Sequence, residues 1–161
     1  MSKIIFSNSD GTLSFIVPCL NEVNPTTGQP FTIQEIADKD LPAGISTYSI
    51  VEDSVIPTDI DFREAWVGVG IGTTGGTISQ DITKAKEIHK TNIRAARTPL
   101  LAALDVEFQK AQETSAGITT IVANKQALRD APAASAISSA DTIAKLKAAW
   151  DTSTLGDSPY A

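Results

Sequence analysis

The chain has very few of the side chains that do covalent or metal chemistry. It has one cysteine, Cys19, and one histidine, His89. A lone cysteine forms no internal disulfide and supplies no cysteine-based metal site, and a lone histidine excludes any site built on a histidine pair. Aromatic residues make up only 6% of the 161 residues, so a core must be built largely from Ile, Leu, Val and Ala. No apolar run approaches the roughly 18–20 residues that a membrane helix needs. The first residues contain one lysine and no apolar stretch, so they do not read as a secretory signal, and the cytosol of the producing cell is the expected compartment.

Basic residues are scarce in the first part of the chain. Residues 1–66 hold ten acids and three bases, a net charge of −7, whereas residues 67–161 hold nine acids and ten bases, a net charge of +1. The sum, −6, disfavours general binding to a phosphate backbone. The remaining composition, 42% hydrophobic and 20% charged, is that of a folded protein.

The pattern predicts an α+β chain, with a small β-rich N-terminal part followed by a helical hairpin and a short terminal helix. Residues 3–7 and 12–17 are β-branched and aromatic runs separated by Asn8-Ser9-Asp10-Gly11, and Asp-Gly between such runs marks a hairpin turn. Thr32 and Glu35 have capping-box spacing, which predicts a short helix over 33–38 with Ile33, Ile36 and Ala37 inward. Residues 45–51 read as a strand, and 62–67 as either a strand or one helical turn. Five glycines lie between Gly68 and Gly76, and this stretch reads as a flexible junction. The expected domains are therefore a β-rich part at 1–67, a Gly/Thr-rich linker at 68–78, a helical domain at 79–150 and a loose polar tail at 151–161.

Ser79 is the expected cap of the long helix. Its apolar stripe runs Ile82, Ala85, His89, Ile93, Ala96, Leu100, Leu104, Phe108 and Ala111, in steps of three and four. Pro99 interrupts this stripe and predicts a kink or break. Ser115-Ala116-Gly117 is a turn, and Ile118, Ile121, Val122 and Leu128 face back from a second helix. A proline-containing linker follows at 130–136. Asp141 is then expected to cap a final helix, from which Trp150 would close the hairpin core.

Several motifs suggest chemistry and lose to plainer readings. Gly70, Gly72 and Gly75 match the dinucleotide pattern G-x-G-x-x-G, but residues about 20 positions on form no strand and no acid stands there. His89 lies on the helix stripe and reads as a partly buried structural histidine, and Cys19 as a small buried apolar residue. Asp105 and Glu107 sit two apart on a helix and point to different faces, unlike a paired acid/base site. No catalytic constellation, cofactor or metal is expected. Lys86, Lys90, Arg94 and Arg97, at steps of four, four and three, share a helix face beside Lys84. That face could be simply solvated, could meet phosphate, or could attract an acidic partner or the acidic first half of the chain.

Four stretches together resemble a group of small tailed-bacteriophage proteins. They are Ile56-Pro57-Thr58-Asp59-Ile60-Asp61-Phe62-Arg63-Glu64-Ala65-Trp66; Lys84-Ala85-Lys86-Glu87-Ile88-His89; Pro99-Leu100-Leu101-Ala102-Ala103-Leu104-Asp105-Val106-Glu107; and Lys125-Gln126-Ala127-Leu128-Arg129-Asp130-Ala131-Pro132. Leu146-Lys147-Ala148-Ala149-Trp150 fits as well, so the resemblance spans residues 56–150. Residues 67–78 depart from it by their length. The resemblance implies a non-enzymatic protein that binds tail-fibre protein as an assembly chaperone, in the cytoplasm of the infected host. A permanent virion part, such as a baseplate, adaptor or capsid-decoration subunit, is the alternative. The partner is then a tail-fibre or other tail protein, with self-association open and neither nucleic acid nor membrane involved. Lys86, Lys90, Arg94, Arg97, Phe62, Trp66 and Trp150 are the candidate partner-binding residues.

Overall fold

The Asp10-Gly11 turn forms where the sequence places it. In the computed structural model, which describes residues 2–72 and 75–160, strand β1 (Ser2–Ser7) pairs antiparallel with β2 (Leu13–Ile16), from Ile4↔Ile16 to Ser7↔Leu13. Gly11 takes φ +78°, a conformation costly for other residues, and the Asn8 amide closes the turn on the Thr12 carbonyl at 2.8 Å. Strand β3 (Tyr48–Glu52) pairs along the other edge of β1, giving the sheet order β2-β1-β3.

Central position explains why β1 reads as a continuous apolar run: Ile4, Ile5 and Phe6 are all buried. Helix α1 (Ile33–Asp40) supplies Ile36 and Ala37 to the cluster around Ile4. Its capping box is complete. The Glu35 amide donates to Thr32 Oγ1 at 3.2 Å and the Thr32 amide to Glu35 Oε2 at 2.8 Å. The helix extends two residues beyond the expected 38 and stops before Pro42.

The glycine-rich stretch connects two paired strands inside the first unit rather than joining two units. Residues 62–67 combine both expected forms, a 3-10 turn at Arg63–Ala65 running into strand β4 (Trp66–Val69). That strand pairs antiparallel with β5 (Thr77–Gln80), from Trp66↔Gln80 to Val69↔Thr77. Gly70, Gly72 and Gly75 take positive φ, and Gly68, Gly72 and Gly76 stand where a Cβ would crowd a neighbouring side chain. A Cβ on Gly76 would lie 2.6 Å from Ser49 Oγ on β3, closer than packed atoms tolerate. Thr73 and Thr74 lie outside the described residues. Ser79 therefore belongs to a strand and caps no helix, and the boundary between two compact units falls after Asp81 rather than across 68–78.

The second unit begins with helix α2 (Ile82–Glu113), 32 residues or about 48 Å long. Of the kink or break expected at Pro99, there is no break, since the helix is continuous through it. Proline leaves the Ala95 carbonyl without its helical donor, but Ala95, Thr98 and Pro99 are all exposed, a position at which a helix tolerates the loss because solvent can supply the donor. The turn at 114–118 puts Ser115 at φ +53°, and helix α3 (Thr119–Asp130) returns along α2. The pairings Asp105–Lys125 and Arg97–Arg129 have nearly constant index sums, as antiparallel helices require. No helix among the described residues is long and apolar enough to cross a membrane.

The rest of the unit is more than one short helix and a loose tail. A 3-10 turn (Ala131–Ala133) leads to α4 (Ser135–Ser139), α5 (Ile143–Ala148) and α6 (Thr152–Leu155). The supposed linker at 130–136 buries Pro132, Ile137 just after it is buried too, and the supposed tail buries Leu155. Thr142, not Asp141, caps α5 by accepting the Lys145 amide, while Asp141 forms an ion pair with Lys145 at 2.8 Å. Asp151 caps α6 through the Ser153 and Thr154 amides. Burial along α2 is uneven, and Ala111 near the turn is buried. Ala85, His89 and Ile93 are buried too, whereas Leu104 and Phe108 are half-buried and Leu100, Val106 and Val122 are exposed.

Candidate partner-binding groove

Three of the four cations read from the helix periodicity gather at one place, joined by one that the periodicity does not reveal. Lys90, Arg94 and Arg97 of α2 and Arg129 from the last turn of α3 line a groove of about 440 Å³. Its floor is apolar. Pro132 and Ile137 are buried there, with Ala133 and Ala134 beside them. No carboxylate lines it. Asp130, the nearest acid in sequence to Arg129, accepts instead from Gln126 Nε2 at 2.9 Å through each of its oxygens.

Each cation has a different freedom. Arg97 Nη1 donates to the Arg129 carbonyl at 2.8 Å and to the Leu128 carbonyl at 3.3 Å, binding the otherwise unpaired end of α3 to α2. Lys90 is shared with Glu87 at 2.8 Å, and that hydrogen bond, aided by the charges of Lys90 and Arg94, holds the Glu87 carboxyl below its ordinary pKa. Among the described residues, the Arg94 and Arg129 side chains make no hydrogen bond or ion pair. Lys86 does not join the groove: its ammonium donates to the Ser138 carbonyl at 2.7 Å and anchors α4.

The three aromatic candidates are core residues rather than contact surface. Phe62 is fully buried and Trp66 is 2% exposed, both inside the first unit. The Trp66 indole nitrogen has no hydrogen-bond partner among the described residues. Trp150 is 7% exposed, donates to the Gly156 carbonyl at 3.0 Å, and stands edge-on to His89 and Tyr160. Their size made them attractive as binding anchors, but in a chain so poor in aromatics the core takes them first.

His89 is structural in its placement, and more deeply buried than expected. Its exposure is 0%, Nδ1 lies 2.8 Å from the Tyr160 hydroxyl, and the two rings stack at 5.5 Å. Nε2 has no partner among the described residues, and burial lowers the imidazole pKa. Cys19 departs from expectation in the other direction, since it is exposed. The glycine motif forms part of the β4–β5 hairpin instead of a strand-to-helix phosphate loop. Asp105 is engaged by Lys125. The described residues contain no group of three His, Cys, Asp or Glu side chains placed to hold a metal ion.

A second depression of about 320 Å³ opens beside the hairpin, with Leu100, Leu104 and Ala127 on its walls and Ser153 and Thr154 of α6 at its rim. No family model, no curated protein and no solved structure matches this chain.

Proposed function

We propose that this chain works by binding another protein rather than by catalysis, and that its partner is the tail-fibre protein of a tailed bacteriophage, whose assembly it assists. The observation that carries the binding role is the groove, a cluster of four cations over an apolar floor on a chain of net charge −6. Charge placed against the overall sign of a protein, beside apolar surface, suits recognition of a complementary partner. The identity of the partner rests on the resemblance of residues 56–150 to small tailed-phage proteins. The outer part of the α2–α3 hairpin adds apolar area, with Leu100, Val106 and Val122 exposed. Fibre subunits expose strand edges and apolar surface before they trimerise, and a bound chaperone would cover them.

The work would take place in the cytoplasm of the infected bacterium. Co-expression with the fibre protein is the test. A soluble, trimeric fibre that depends on this chain, and a complex that co-elutes, are the expected results. Fibre that is equally soluble and trimeric without the chain, with no complex, refutes the proposal. Mass spectrometry of purified particles separates the two modes of binding: stoichiometric presence would make the chain a permanent virion part instead of a transient chaperone.

A further inference from the structure

We infer that the groove between α2 and the α3–α4 connection receives an acidic segment of the partner polypeptide, in which carboxylates flank a small or branched apolar side chain. This rests on the reading of the chain as a protein-binding factor. Three of the four cations are arginines, whose planar forks hold carboxylates by paired hydrogen bonds. Arg94 and Arg129 have those donors uncommitted among the described residues, while Arg97 directs Nη1 to the α3 carbonyls. Ala133, which is exposed, and Ala134, which is half-buried, offer the intervening side chain an apolar seat, with the buried Pro132 and Ile137 beside them.

The same features disfavour nucleic acid. No aromatic side chain lines the groove to stack a base, since Trp150, Tyr160 and His89 pack on one another. A long polyanion also meets the whole molecule, at net −6, whereas a short peptide feels chiefly charges within a Debye length of about 8–10 Å. Locally those charges are positive. The groove volume falls in the range of ligand pockets, so it fits a few side chains rather than a folded surface.

The test uses the full chain and a fluorescein-labelled Gly-Asp-Ile-Asp-Glu-Gly peptide, followed by fluorescence anisotropy, with Gly-Asn-Ile-Asn-Gln-Gly as the uncharged counterpart. The acidic peptide should bind at least about tenfold more tightly than its counterpart, and more weakly as salt rises. Arg94→Glu with Arg129→Glu should weaken it by about tenfold or more, with an unchanged melting temperature, whereas Lys110→Glu on the outer part of α2 should have no effect. If the double variant does not fold, Arg94→Gln alone, on an exposed side chain, gives the same comparison. Equal binding of the two peptides, or indifference to the arginine changes, overturns the inference. So does equally tight binding of inorganic phosphate or a short DNA duplex. Sedimentation showing self-association that the double variant loses would assign the groove to a second copy and overturn the choice of a foreign partner. The fibre protein separates this inference from the function it rests on. If wild type and double variant capture it equally, the groove inference falls and the protein-binding reading stands. If wild type captures none, the fibre reading falls and the peptide titration decides the groove by itself.

Discussion

Acidification should destabilise the helical unit through His89. The imidazole is sealed from water, packed between Tyr160 and the edge of Trp150, with Nδ1 bonded to the Tyr160 hydroxyl and Nε2 without a partner among the described residues. Asn92 also donates to that hydroxyl, at 3.2 Å, and the Lys147 ammonium lies 5.7 Å from the Tyr160 ring. None of these groups offers an anion to a protonated ring. Burial therefore holds the folded pKa below the ordinary value of about 6.5. As pH falls through 6.5, the unfolded chain takes up a proton that the folded chain refuses, so stability is full above that value and declines toward the lower folded pKa. The limiting slope is about 1.4 kcal/mol per pH unit, which makes the loss between about pH 7 and pH 5.5 at most about 1.3 kcal/mol. Urea unfolding followed by helical circular dichroism at the two pH values measures it. His89→Phe should shift both curves but abolish the difference between them. The carboxyls held below their usual range, Glu35, Glu87, Asp141 and Asp151, titrate well below this window. The same pH dependence in wild type and His89→Phe would refute the reasoning.

Ile93→Ala, at a side chain 1% exposed, should cost about 2–5 kcal/mol in thermal or urea unfolding, and Leu104→Ala on the half-buried outer stretch clearly less. Periodicity alone gives Leu104 and Phe108 the full core cost, so equal losses at Ile93 and Leu104 would restore that reading. Thr32→Ala should remove about 1 kcal/mol by opening the capping box. The backbone hydrogen bond from Thr32, which this substitution leaves in place, keeps the Glu35 carboxyl low, so its separate stabilising effect is present above the ordinary glutamate range and fades as pH falls through the lowered value. Gly76→Ala should cost roughly 1–3 kcal/mol because its methyl meets Ser49, and a neutral result in urea unfolding would return the segment to the linker reading.

Local signals carried much of the backbone. The Asp10-Gly11 turn, the Thr32/Glu35 box and the three-four stripe of α2 each act within about one or two turns of chain, through dihedral limits and neighbouring side chains. The candidate site was visible only in part. Lys90, Arg94 and Arg97 are related by helical period, so sequence could group them, but Arg129 lies on another helix and joins them only because α3 folds back along α2. Its one sequence signal was a cation in the last turn of a helix, a common feature that does not point to a groove.

What the sequence by itself determined was a strand-rich first half holding one short capped helix, a helical second half, and the charge split between them. The tertiary structure alone decided what the ambiguous residues do. Glycines that suit a flexible linker equally suit the connection of two paired strands, and at Gly76 the residue crowding a larger side chain is Ser49, 27 positions away. A polar tail reads as loose until Leu155 is buried and the Tyr160 hydroxyl meets His89 across 71 positions. Phe62 and Trp66 read as partner-binding residues until the enclosing elements bury them, and Trp150, read both as a core cap and as a contact, is buried as well. The physical reason is common to all three. Burial belongs to the whole fold, because removing a side chain from water takes surfaces from distant parts of the chain, and no short window of sequence contains them.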